Sequence, residues 1–152
     1  MKLMKLFFFI LIPFLGYSQI DITSLNLNQF DKTQAIVFQN DIRSFYDLNP
    51  YTIDDSLSII AQKWANHLAK IDDLEISDDP YGESVFQIGK EYLDNFNKNV
   101  YMEASISWLL TKGEDEESPF FQIISNTASK IGLGVSKNDE RYYVVAKYDS
   151  IY

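Results

Sequence analysis

The single histidine, two acidic runs and one Gly-x-Gly pair are the residues here whose types could do chemistry. His67 would have to act as the base of a Ser-His-acid triad or as a zinc ligand. Zinc takes three or four His, Cys or carboxylate ligands, and the chain has one His and no Cys. Nothing in the sequence sets a serine and an acid beside His67, which lies at the edge of an apolar helical face and reads as a structural histidine. The acids of 72–79 and 114–117 are oxygen donors of the kind calcium prefers, but neither run has EF-hand spacing, so both read as solvated loops. Gly132-Leu133-Gly134 sits in a β-like run without the third glycine and following helix of a phosphate loop, and reads as a tight strand or bulge. Tyr81, Phe86, Tyr92, Phe96, Tyr101, Phe120 and Phe121 could line an apolar groove, although most of them read as core.

The stretch that must position these groups runs from Asp54 to Ile71, with apolar residues at 57, 60, 61, 64, 65, 68 and 71. That spacing predicts one buried helical face. Asp54 or Asp55 can cap its first turn, and alanines at 61, 65 and 69 allow a neighbouring layer to come close. Trp64 is its large anchor, whose truncation would cost about 3–5 kcal/mol if buried. A second helix is predicted over Thr33–Tyr46, stopped by Asn49-Pro50, and a third over Val100–Leu110. Residues 72–82 and 111–119 read as loops, 83–88 as a mixed run and 91–96 as a helical turn. Phe120–Ile124, Ile131–Val135 and Tyr142–Tyr148 are β-branched or aromatic runs between polar turns, and are predicted as strands. Helices first and strands last imply an α+β domain.

The N-terminus adds Lys2 and Lys5, an apolar run over 6–15, then Gly16 and Ser18. This reads as a signal peptide over 1–18, cleaved before Gln19 and too short to span a bilayer. Residues 19–31 are a polar lead-in, and 32–152 form the domain. The expected location is secreted or periplasmic, with no stable membrane insertion after cleavage. Loss of 1–18 moves the formal net charge from −9 to −11. Such a charge repels phosphate backbones, so no nucleic acid is expected as a partner. The absence of Cys rules out disulfides, leaving stability to the core.

In order, Leu57, Ala61, Trp64, Ala65, Leu68 and Ala69, then Tyr81-Gly82-Glu83, Trp108, Phe120 and Gln122, Lys130-Ile131-Gly132-Leu133-Gly134 and Val144-Val145-Ala146-Lys147-Tyr148 resemble the CAP superfamily. The resemblance spans about residues 33–148 and implies a three-layer α-β-α sandwich of the CAP (SCP-like) type, secreted, with a surface cleft. The family's cleft carries two His and two Glu. Glu83 matches one glutamate, with Ser84 in place of the Asn that follows it in the family. The other three positions fall on Ile76, Thr111 and Pro119, so the tetrad is degenerate. The family's His-Asn-x-x-Arg appears as Gln39-Asn40-Asp41-Ile42-Arg43, and its strand tryptophan falls on Ser125.

Ile76, Thr111 and Pro119 cannot bind metal or move protons as His and Glu do, so no metal and no cofactor are expected. Glu83 is the one candidate catalytic carboxylate, and its structural role would be to accept backbone amides and fix the loop after Gly82. The preferred reading is a non-catalytic domain binding a small apolar ligand or a protein partner through its cleft or an outer face. The resemblance implies sterol or fatty-acid ligands or protein contacts. The alternative is a peptidase-like hydrolase with Glu83 as acid or base.

Overall fold

The computed structural model describes residues 29–113 and 115–151; the signal-peptide expectation and most of the lead-in lie outside the described residues. Three helices open on side-chain caps that satisfy free first-turn amides. Asp31 accepts from Thr33 N–H at the start of α1 (Lys32–Phe45), Asp54 from Leu57 N–H at α2 (Asp55–Ile71), and Asn99 from Tyr101 and Met102 N–H at α4 (Val100–Leu110). The lead-in ends against this layer, where Gln29 O accepts from Val100 N–H and Asn99 donates to Asp31 O.

Strands β1 (Thr52–Ile53), β2 (Gly82–Gly89), β3 (Lys130–Lys137) and β4 (Arg141–Tyr148) form one sheet in the order β1-β3-β4-β2. The β1 to β3 pairing is parallel, and β4 is antiparallel to both β3 and β2. Alternation of side chains along β4 divides the core. Tyr142, Val144, Ala146 and Tyr148 join Trp108, Tyr101 and Ala104 of α4 with Ala35 and Ile36 of α1. Tyr143 and Val145 instead meet Ala61, Ala65 and Leu68 of α2. Helix α2 lies across β3 and β4, while α4 packs on the sheet's other side with α1 against it. The α-β-α sandwich is therefore the observed architecture.

Two stretches differ from the sequence-based expectation. Phe120–Ile124 is not a strand: Pro119 starts the short helix α5 (Pro119–Ile123), and Phe120 and Ile123 bury one of its faces. Proline's fixed φ suits a first helical position, which outweighs the aromatic and β-branched composition. Residues 83–88, read as a mixed run, belong to β2, which therefore precedes α3 (Lys90–Asn95) and α4 in the chain. Partner β4 supplies its eight-residue register, and that long-range pairing is what a local pattern lacks. Trp64 is only half-buried, so its loss would cost less than a core tryptophan's.

The glycines of β3 permit the close α2 layer. A Cβ on Gly132 would stand 2.2 Å from Leu57 C and Ser58 N, and one on Gly134 would stand 2.4 Å from Gln62 N. These are backbone atoms of α2, so the helix itself would have to move. Gly134→Ala is expected to cost about 3 kcal/mol in urea unfolding. Gly89→Ala, with nothing within 4 Å of the new methyl, is expected to change stability by less than about 0.5 kcal/mol. Equal effects at both sites would show that α2 is free to shift.

Candidate functional site

Glu83 faces Lys147 across the β2 to β4 ladder, both on the α2 side of the sheet. Lys147 is fully buried, and its ammonium meets Glu83 Oε2, Asp79 Oδ2 at 2.6 Å and Ser77 Oγ at 2.5 Å. Glu83 is itself almost wholly buried. Its Oε1 accepts Ser77 N–H at 2.8 Å and its Oε2 accepts the Ser77 hydroxyl at 2.9 Å. Burial pushes the Asp79 carboxyl up, but the hydrogen bond and charge of Lys147 more than reverse this and hold it below its ordinary value. The expected backbone-accepting role of Glu83 is present with one change: the amide belongs to Ser77, so Glu83 fixes the loop before Gly82, not the one after it. Both its oxygens are engaged beside an ammonium, an arrangement suited to holding a loop.

Lys147 is the residue that sequence reasoning missed. It follows Tyr143 and Val145 at period two, on a face that these two bury against α2. A lysine on that face signals a buried cation in need of an anion.

Of the three replaced cleft positions, two have other tasks. Ile76 is 65% exposed on the loop. Thr111, at the end of α4, donates its hydroxyl to Trp108 O at 2.7 Å and accepts Phe120 N–H at 3.0 Å, joining α4 to α5. Pro119 opens α5. Trp108 is buried and donates its indole N–H to Val85 O at 3.0 Å. Gln39, at the family's His position, is buried and donates to Ser105 Oγ at 3.0 Å. Asn40 clamps the Tyr51 backbone, donating to its O at 3.1 Å and accepting its N–H at 2.7 Å. Arg43 donates to the carbonyls of Asn49, Ile123, Ser125 and Ala128 and lies 3.7 Å over the Tyr51 ring. Ser125 accepts Ala128 N–H at 3.2 Å, tightening the turn that Arg43 grips.

His67 stacks on Trp64 with ring centroids 4.5 Å apart, and its Nε2 lies 3.7 Å from Glu75 Oε2. Trp64 donates its indole N–H to Glu75 O at 3.0 Å. An indole and a loop carboxylate give His67 a packing role. Of the acidic runs, Asp72 accepts from the Tyr143 hydroxyl, Asn138 and Arg141, and these bonds bring its carboxyl down to about 2. It thereby fastens the end of α2 to the β3 to β4 turn. Among the described residues no group of three or more His, Asp or Glu could hold a metal ion.

An apolar groove lies elsewhere, between the ends of α1 and α4. Phe38, Ile42, Phe45, Tyr46 and Leu109 line a volume of about 440 Å³, with Asp41 and Lys112 at its polar margin. Lys112 Nζ donates to the Tyr46 hydroxyl at 2.8 Å. Phe45 is 81% exposed, and Leu110, at the end of α4, 75%. Of the aromatics singled out in the sequence, Tyr101 and Phe120 are buried and Tyr92 and Phe96 exposed, and none lines this groove. A second hollow of about 310 Å³ continues past Tyr46 to Phe121 and Ile124.

The family model for the cysteine-rich secretory protein family, CAP, matches residues 38–148. Solved structures share the fold. MpPR-1i is 22% identical, over 80% of this chain and 87% of that one, with a TM-score of 0.59. NaASP2 with Zn2+ is 16% identical over 82% and 83%, TM-score 0.64. Schistosoma mansoni venom allergen-like protein 4 is 16% identical over 77% and 86%, TM-score 0.55. A search of curated proteins finds no match.

Removing one partner of a buried charge leaves the other uncompensated. Glu83→Gln is expected to cost about 3 kcal/mol in chemical unfolding, less than the full loss because Asp79 still faces Lys147. Arg43→Lys replaces a guanidinium fork by one ammonium and strands buried carbonyls, also at about 3 kcal/mol. Wild-type stability would show that Lys147 finds another acceptor in the first variant, or that the carbonyls find other donors in the second.

Proposed function

The chain belongs to the CAP family, and from that premise we propose that it is an exported, non-catalytic binding domain that takes a small apolar ligand in the groove between α1 and α4. The observation that carries the reading is the state of Glu83. It is the one cleft glutamate the chain retains, and it is committed to Ser77 and Lys147. A general base needs an oxygen within reach of the substrate's proton, and the alternative hydrolase would have to break these bonds first. Thr111 and Pro119 likewise serve the joint between α4 and α5.

The groove supplies what the cleft lacks. Its volume of about 440 Å³ lies in the range of small-molecule sites, and its walls are mostly aliphatic and aromatic with a few polar groups to orient a ligand. Export rests on the N-terminal pattern of 1–18. A protein partner is the second reading, favoured by the exposure of Phe45 in the groove wall and of Leu110 next to the lining Leu109 in sequence, since exposed large apolar side chains can mark contact surfaces.

Native mass spectrometry of the protein recovered from its own export route tests the proposal. A stoichiometric lipid-sized adduct is expected, with Phe45→Ser weakening uptake of an apolar fluorescent probe about tenfold. A metal-sized adduct would contradict the metal-free reading. Hydrolytic activity lost in folded Glu83→Gln would restore the enzyme, and probe binding insensitive to Phe45→Ser would remove the groove from consideration.

A further inference from the structure

Two buried cations in this fold are satisfied by opposite kinds of partner. Arg43 donates to four backbone carbonyls, which do not titrate. Lys147 is held by Glu83, Asp79 and Ser77. Glu83 belongs to β2 and stays with the sheet, whereas Asp79 and Ser77 belong to the loop between α2 and β2. That loop is tied to the body through side chains: Trp64 to Glu75 O, His67 to Glu75 Oε2, Ser77 to Glu83, and Asp79 to Lys147.

We propose that residues 73–81 form an acid-releasable flap, latched at neutral pH by Asp79 and Ser77 against Lys147 and Glu83, which opens on acidification while the body of the domain stays folded. A buried ammonium requires anionic partners, and Asp79 is the one that the loop contributes. Once protonated, Asp79 offers Lys147 no counter-charge, and the loop is left with its Ser77 and Glu75 bonds. Other elements do not replace it: β3 opposes Lys147 with Gly132, and α2 brings Leu57 and Ser58 over that glycine.

The sign follows from the depressed Asp79 carboxyl. Its contribution is fully present above the ordinary value of 3.8 and is lost as pH falls through the lower folded value. Asp72, with a carboxyl at about 2, keeps the start of the loop fastened through most of that range and acts as the hinge. Helix α2 meets the sheet through apolar side chains and the neutral Gln62, and Arg43 meets carbonyls, none of which titrates here; Asp149, also depressed, holds Ser129 and Lys130 and not the loop. Opening uncovers the Lys147 ammonium, which is fully buried in the closed form.

Hydrogen exchange read by mass spectrometry on the full chain, corrected for intrinsic rates, tests the flap. Protection over 73–81 is expected to fall severalfold as pH is lowered from about 4 through the depressed Asp79 value, while α2 and β4 keep theirs. Asp79→Asn, at a side chain 27% exposed, is expected to show the same loss already at neutral pH. Lys147→Met removes the charge that needs a counter-ion and is expected to flatten the loop's pH profile. Loss of loop and α2 protection together, or a wild-type profile in Asp79→Asn, would overturn the proposal. Should Lys147→Met fail to fold, Asp79→Asn decides alone.

Discussion

The Arg43 guanidinium is the contact on which the α1 side of the molecule depends. From the last turn of α1 it reaches the carbonyls of Asn49, Ile123, Ser125 and Ala128, gathering the turn after α1, the end of α5 and the approach to β3. The bonds to Ile123, Ser125 and Ala128 are buried, and a buried carbonyl left without a donor costs about 1–3 kcal/mol. A planar fork with five N–H groups can serve several acceptors at once. Tyr51 lies beneath the guanidinium and donates to Gln122 O, so the same node also carries the entry to β1.

Lys147 organises the opposite layer, and its partners explain the fate of the cleft. A glutamate beside a buried ammonium, with a serine hydroxyl and amide on its oxygens, is a fastening. Two of the three replaced positions, Thr111 and Pro119, have been taken into the packing of α4 and α5. Polar side chains here satisfy backbone and neighbouring charges, and the open apolar surface lies instead at Phe45 and Leu110. The same helix α1 thus contributes Arg43 to the interior and Phe45 to the groove.

Closeness of layers is the third constraint. Gly132 and Gly134 bring the β3 backbone against that of α2, and Ala61 and Ala65 complete the contact from the helix side. Fixed spacing between helix and sheet leaves Gln62 in position to bond the Val135 backbone in both directions, donating to O at 2.6 Å and accepting N–H at 3.2 Å.

Much of this was legible in the sequence. The 3.6-residue period, with a cap at Asp54 for the second, determined three helices, the β-branched runs determined β3 and β4, and the order of motifs pointed to the family. Those signals act between residues a few positions apart, where the backbone's own hydrogen-bonding needs dictate the answer. Tertiary structure alone decided that 120–123 coil as α5, that 82–89 pair as β2, that Glu83 is committed to Lys147, and that Phe45 stays outside while Arg43 goes in. The physical reason is separation: Lys147 and Asp79 lie 68 positions apart and Arg43 and Ile123 lie 80. What a buried charge or an edge strand becomes depends on partners that only the folded chain brings within reach.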